Sequence, residues 1–550
     1  MLVVLVIGLL VIAAAAVIGP RLGMASPLVL VVVGVAASFL PVFTSIEIEP
    51  AWILEGVLPP LLYSSAVSMP SMNFRREFGA ISGLSVLLVV GSALLLGVFF
   101  MLVIPDLGFA WGAALGAVIS PTDAVATSII KRTGTSKRVV AILDGESLLN
   151  DATALVLLRT AIIAAAATFS FWGTVGSFAY SVVIAVAIGV VVGWLNLAVR
   201  HRVTDPTVNT VISFTVPFVA AVPAELAGAS GLVAAVVAGL ITGIRAPRLL
   251  SPQNRLSDTQ NWRTVELVLE GAVFITMGLQ LKSIVEQVER DHAGVGTAVL
   301  IAVVALVLTI VIRAAFVAPL LGLLGGLRRR NQKLRPRLED LQEQMTTPVG
   351  QQQAIERMGA RGRSATVRDL DRFARRITRL LADFDYFRRD PLGWREGMTV
   401  VWAGMRGAVT VAAAQTLPAS PHRSVLILIA FTVAALSLLV QGGTIAPLVR
   451  LISPKVDQEA IDKEAEAERT KVLELMRRSA AAIPEPPRRE PPTLESYQEQ
   501  RAYRLAVLQA QRSELLDARD NGIFDADVLE GLLANLDASQ IAMEMRGMRA

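Results

Sequence analysis

The chain has 550 residues, 53% of them hydrophobic and 18% charged, where a soluble globular protein carries about 25% charged residues. It holds no cysteine, which excludes disulfides, thiolate catalysis and cysteine-ligated metal, and its three histidines, His201, His292 and His422, fall singly in predicted loops, which argues against a histidine metal centre. A net charge of +5 and a pI near 9.7 would suit a nucleic-acid partner, but basic inner loops of a membrane protein explain them more simply.

Apolar stretches such as Ala80 to Ile104 and Phe178 to Val199 are long enough to cross about 30 Å of hydrocarbon as helix. In chain order the candidate spans start near Leu2, Pro27, Ala51, Gly79, Gly108, Val139, Phe171, Val208, Gly231, Val265, Thr297, Met398 and Ser424, about thirteen in all. The stretch Leu2 to Ile18 has no basic segment before it and another apolar stretch close behind, so it reads as a retained first helix rather than a signal peptide. Loops with Arg75 and Arg76, Lys131 to Arg138, Arg200 and Arg202, and Arg245 to Arg263 are basic; those with Glu47 and Glu49, Asp106, and Glu286 to Asp291 are acidic or weakly charged. The positive-inside rule then places the N-terminus outside and the C-terminus in the cytoplasm of a multi-pass protein of the inner (plasma) membrane.

Two segments break the apolar pattern. Residues 1–326, with spans 1–11, and 398–453, with spans 12–13, read as one membrane domain interrupted by a basic cytoplasmic insert, 327–397, in which Leu370 to Phe387 has one apolar helical face. Residues 454–550 form a charged cytoplasmic helical tail, with Pro484 to Pro492 as a semi-rigid spacer. Solubilising, bracing a dimer or regulating transport are all open to that tail.

The chemistry lies in polar residues inside apolar spans, since an ionisable group in hydrocarbon costs several kcal/mol unless paired or facing water. The densest cluster is Ser120-Pro121-Thr122-Asp123-Ala124 in the fifth span and Asp144-Gly145-Glu146-Ser147-Leu148-Leu149-Asn150-Asp151 in the sixth. Pro121 removes a backbone donor and breaks its helix midway, next to Thr122 and Asp123, and transporters bind ions at such midplane breaks. Ser147, Asn150 and Asp151 fall at i, i+3 and i+4, so their oxygens share one face and suit a hard alkali cation. A carboxylate among them can hold either that cation or a proton, which couples the two ions. Structural pairing of Asp123 and Asp151 with bases is disfavoured, because no basic residue lies on the clustered face.

Ser120-Pro121-Thr122-Asp123-Ala124-Val125-Ala126, Gly145-Glu146-Ser147-Leu148-Leu149-Asn150-Asp151 and Gly404-Met405-Arg406-Gly407-Ala408-Val409-Thr410 resemble the signature segments of the monovalent cation:proton antiporters, both bacterial NhaP-type and eukaryotic sodium/proton exchangers. Leu58-Pro59-Pro60-Leu61-Leu62 and Phe274 to Leu281 add to the resemblance, which covers Leu2 to Ser453 apart from the insert. It implies an all-α membrane protein of two inverted repeats, with two crossing broken helices in a core domain and a separate dimerisation domain. It also implies that Asp151 binds cation and proton alternately, with Thr122, Asp123, Ser147 and Asn150 around a sodium, potassium or lithium ion. The Asn150-Asp151 pair resembles the electroneutral branch, and Glu146 and Arg406 match positions that form a structural ion pair. Glu270, just before the Phe274 to Leu281 element, resembles residues lining the ion path, although Glu266 one turn earlier would make it equally an ordinary helix face.

The resemblance thus implies a secondary antiporter serving pH homeostasis and salt tolerance, not an enzyme, with no cofactor, surrounded by lipid and paired with a second copy. Alternatives are a potassium/proton exchanger or cation channel on the same scaffold, or a membrane sensor signalling through its tail. A sensor would carry a recognisable output domain, and an ATP-driven pump would carry a Walker A pattern; the sequence has neither. Arg159 and Arg313 also lie in apolar spans, and snorkelling or structural pairing is expected of them.

Overall fold

Hydrocarbon offers no partner for backbone N–H and C=O groups, so an apolar chain satisfies them within itself, as helix. The computed structural model describes residues 2–21, 24–40, 49, 51–166, 171–291, 294–347, 351–352, 367–452, 458–487 and 494–547, and every regular element among them is helical. Glu47, His292 and Arg488 to Pro492 of the proline-rich spacer lie outside these residues.

In chain order the helices are α1 (Leu2–Arg21), α2 (Ser26–Ser38), α3 (Leu58–Ser68), α4 (Ser71–Ser82), α5 (Val89–Val103), α6 (Phe109–Ile119), α7 (Val125–Ile130) and α8 (Lys137–Ala166). Next come α9 (Phe171–Arg200), α10 (Pro206–Leu226), α11 (Gly231–Leu249), α12 (Pro252–Leu279), α13 (Leu281–Arg290) and α14 (Val295–Thr346). The last are α15 (Val367–Arg389), α16 (Trp394–Trp402), α17 (Ala408–Gln415), α18 (Arg423–Ile452), α19 (Gln458–Ala481), α20 (Leu494–Asn521) and α21 (Ala526–Gly547).

Among the described residues, 9 helical stretches have the length and composition to cross a membrane. At the remaining predicted starts, Pro27, Ala51, Gly108 and Met398, the structure has shorter pieces: α2, α3, and the pairs α6 with α7 and α16 with α17. The eleventh predicted span closes at Gly326 as a candidate crossing, but its helix continues beyond it. α14 is one helix of 52 residues that passes Gly325, Gly326 and Pro336, because the Arg, Lys, Gln, Glu and Leu around them are good helix formers. Arg335 adds an i,i+4 pair with Glu339 at 2.7 Å.

The chain divides into two compact units. The first comprises Met1–Leu250, Asn254–Leu320 and Gly393–Pro454, and within it two bundles are visible. Helices α4 to α8 pack on one another and on α17 and α18, with small residues admitting close approach: a side chain on Gly116 of α6 would collide with the Ala93 carbonyl of α5. Helices α3, α9, α10 and α11 form the other bundle around Tyr63, Val216, Ala220, Ala234, Ala238 and Trp262. The bundles touch where α8 passes α9 and α11.

Arg200, expected from its loop charge to face water, is instead fully buried in this second bundle. Its Nε donates to Asn209 Oδ1 at 2.8 Å, Nη1 donates to Ser213 Oγ at 3.2 Å, and Nη2 lies 2.9 Å from Asp258 Oδ2. Ser213 Oγ also accepts from Trp262 Nε1 at 2.9 Å, so the charge is met by side chains from α10 and α12 before it can reach solvent.

The second unit comprises Ser251–Gln253, Leu321–Leu392 and Lys455–Ala550, so the stretches read as insert and tail fall in one compact body. Val472 and Met476 of α19 pack with Leu508, Leu515 and Leu516 of α20 and Leu529 and Leu533 of α21. Arg335 of α14 meets Asp385 of α15 at 2.7 Å, and Arg389 of α15 lies 3.6 Å from Glu468 of α19.

Candidate functional site

Pro121 ends α6, and Ser120 to Ala124 run without helical structure before α7 resumes. A second break separates α16 from α17 at Gly404 to Gly407. The breaks meet: the Asp123 backbone N–H donates to the Met405 carbonyl at 2.7 Å. Interrupted helices leave carbonyls without partners, and Arg406 supplies them. Its Nε donates to Ile119 O at the end of α6 at 3.0 Å, and Nη1 donates to Gly404 O. Ser437 of α18 fixes the same residue, accepting from Arg406 N–H at 2.7 Å and donating to its carbonyl at 3.2 Å.

This placement corrects one sequence expectation: Arg406 does not pair with Glu146. Arg313 of α14 does so, with Nη1 on Oε1 and Nη2 on Oε2 at 2.7 Å, while its Nε donates to Val400 O at 2.9 Å. The reason lies in the crossing. Carbonyls freed by the two breaks take the Arg406 guanidinium, so the bidentate fork reaching Glu146 comes from α14. All three side chains are buried, and stranding either member of the pair is expected to cost about 3–5 kcal/mol.

From Glu146 a hydrogen-bonded chain leads across the crossing. Thr122 Oγ1 donates to Glu146 Oε1 at 3.1 Å, and Asn150 Nδ2 donates to Thr122 Oγ1 at 2.6 Å and to Thr122 O at 3.3 Å. This fixes the amide so that Asn150 Oδ1 is the free end, fully buried and without a partner among the described residues. Asp123 Oδ1 accepts from Val125 N–H at 2.9 Å, holding the start of α7. Gly407 makes room for this carboxylate, since any Cβ there would overlap it.

Asp151 follows Asn150 on α8, half-buried, and its carboxylate has no hydrogen bond or ion pair among the described residues. It lies close enough to Asp123 for the two charges to repel. Glu270 on α12 is likewise half-buried and unpaired among the described residues, with Asp123 and Glu266 acting on it electrostatically. Ser147 stands one turn before Asn150 and donates to its own helix at Asp144 O, 3.2 Å away, and among the described residues it makes no hydrogen bond to Thr122 or Asn150. The structure thus brings Glu146, Thr122 and Asn150 into one chain, sets Asp123, Asp151 and Glu270 near it, and leaves Ser147 at the margin. Sequence reasoning expected structural pairing of Arg313 without naming Glu146 as its partner, and it missed Ser437. A lone arginine deep in the apolar Val295 to Gly326 stretch was the available signal, but it did not say which carboxylate to choose.

Comparison with known proteins agrees with this architecture. The family profile described as "Sodium/hydrogen exchanger, transmembrane" matches residues 6–335 and 373–451, leaving out part of the insert and the tail. An uncharacterised Na+/H+ exchanger of Mycobacterium tuberculosis is 26% identical over 98% of this chain and 97% of its own length. The uncharacterised exchanger YjcE of Escherichia coli is 34% identical over 47% of this chain and 49% of its own. Among solved structures, the sodium proton antiporter MjNhaP1 of Methanocaldococcus jannaschii superposes with a TM-score of 0.57 at 15% identity, covering 82% of this chain and 99% of that one. The chain belongs to the sodium/hydrogen exchanger family, and is accordingly a multi-pass membrane cation/proton antiporter, not an enzyme.

Proposed function

We propose that the protein exchanges sodium for protons, one for one, at Asp151 by alternating access. The observation that carries this is the juxtaposition of two groups without partners among the described residues, the buried Asn150 Oδ1 and the neighbouring carboxylate of Asp151, beside Asp123 at a crossing of broken helices. A buried carboxylate without a base needs a positive charge, and a proton or an alkali cation can supply it. Asn150 Oδ1, Thr122 Oγ1, Asp123 and, at the margin, Ser147 would add the oxygen ligands that a hard cation takes. A proton brings no ligand requirement, so the same carboxylate serves both ions in turn. One carboxylate cycling between two monovalent ions moves equal charge in each direction, which favours electroneutral exchange. Glu270 would line the ion's path, close to Asp123.

In this reading thirteen spans cross the inner membrane with the N-terminus outside, and two copies associate through the bundle around Tyr63. The insert and tail then lie in the cytoplasm and regulate transport without supplying a ligand. The test is purified protein in proteoliposomes with an internal pH dye: a sodium gradient should drive proton movement in the wild type and none in Asp151→Asn. Full sodium-driven proton movement in that variant would overturn the assignment. Repeating the assay with potassium and lithium ranks the cations, and a response to an imposed membrane potential would contradict electroneutrality.

A further inference from the structure

We propose that the Arg159–Glu225 ion pair is a latch between the two bundles of the membrane unit, which must open in every transport cycle. The proposal rests on the alternating-access reading above. Arg159 lies on α8 two turns beyond Asp151, about 12 Å along the helix. Its Nη2 is 2.6 Å from Glu225 Oε2 near the end of α10, and its Nη1 donates to Ala229 O at 3.4 Å just before α11. Glu225 is held from its own side, because Oε1 accepts from Gly231 N–H at the start of α11 at 2.9 Å. The acceptor is thus part of the second bundle's frame, and the donor rides on the helix that carries the site.

A second ion pair on α8 shows the contrast. Arg138 Nε sits 2.5 Å from Glu77 Oε1 of α4, inside the same bundle, with the two side chains only 5% and 1% exposed. Arg159 and Glu225 are 53% and 38% exposed. A buried pair cannot be opened without stranding both charges inside the bundle, whereas the Arg159–Glu225 pair lies at the protein surface and can part without doing so. α8 is therefore tied permanently to its own bundle and releasably to the other. An arginine in an apolar span is costly where leucine would serve for packing, so its presence at this boundary calls for a role that needs a directional, breakable contact.

The absence of native cysteine makes the test clean, since Arg159→Cys with Glu225→Cys introduces the protein's only two thiols. In proteoliposomes, a short reducible bifunctional methanethiosulfonate should join them and stop exchange, and dithiothreitol should restore it. A monofunctional reagent of the same chemistry should not stop it. Linked protein exchanging at the unlinked rate overturns the proposal, as does failure of the thiols to link. Independently, Glu225→Gln and Arg159→Gln should each change the turnover rate or the apparent cation affinity by about two- to five-fold, the scale of an exposed pair, and the double variant should show the same change rather than the product. Wild-type values in both single variants, or effects that multiply, would sink the latch. Absence of any sodium-driven proton movement in the wild type would instead refute the exchange reading itself.

Discussion

Arg313 and Arg200 are both buried and both meet a carboxylate, Glu146 on α8 and Asp258 on α12, yet their surroundings differ in charge. Around Arg200 one base faces one acid, and neutral groups of Asn209, Ser213 and Trp262 complete the knot. Around Arg313 the acids are in excess: Glu146, Asp123, Asp151 and Glu270 stand against Arg313 and Arg406, with Asp151 and Glu270 unpaired among the described residues. A balanced knot only holds helices together. An acidic surplus in a membrane has to be filled by mobile positive charge, which is what a cation/proton exchanger handles.

The sharpest way to break this contrast is to neutralise one acid on each side. Asp151→Asn should reduce exchange to background while leaving thermal unfolding in detergent near wild type. Asp258→Asn should do the reverse, lowering the unfolding temperature while keeping exchange per folded molecule. If both variants lose exchange to the same degree, the division between site and scaffold is wrong.

Next in size are the pair members. Glu146→Ala and Arg313→Ala should each cost about 3–5 kcal/mol, with the double variant costing less than the sum because neither charge is then stranded. Denaturant or thermal titration of the purified variants measures this, and strictly additive losses would contradict a pair. Arg406→Ala should also destabilise, through the unsatisfied Ile119 and Gly404 carbonyls.

Smaller effects probe the neutral ligands. Asn150→Ala and Thr122→Val should raise the KM for sodium by about five- to tenfold, the worth of roughly one hydrogen-bonding group, with little loss of turnover at saturating sodium. In the wild type the same KM should rise as pH falls, because protons compete with sodium for Asp151, and should level off at alkaline pH where that competition ends. A KM independent of pH would separate the two ions onto different groups.

The smallest change is expected from truncation after Ala482, which should leave exchange intact and shift its rate or pH profile a few-fold at most. It removes α20 and α21, so Val472 and Met476 of α19 lose their apolar cover, and limited proteolysis should show α19 cut faster. Complete loss of exchange in a folded, inserted truncation would give the tail a part in the transport machinery.

The sequence by itself determined the helical membrane class, the break at Pro121 and the polar face of α8. Apolar length, proline and the i, i+4 period are local properties, and the chain carries them wherever it folds. Ser120 to Ala124 could be read as a special segment for that reason, whereas Gly404 to Gly407 was marked only by resemblance and its break appears in the structure. Which groups face each other was decided only in three dimensions. Glu146 had two buried arginines to choose from, and the choice of Arg313 over Arg406 depended on carbonyls that exist only once α6 and α16 are interrupted side by side. The insert and tail likewise fall in one unit through contacts such as Arg389 with Glu468, which sequence separation hides. Arg200 looked like a loop charge until α10 and α12 closed over it, because burial depends on neighbours that local hydropathy does not record.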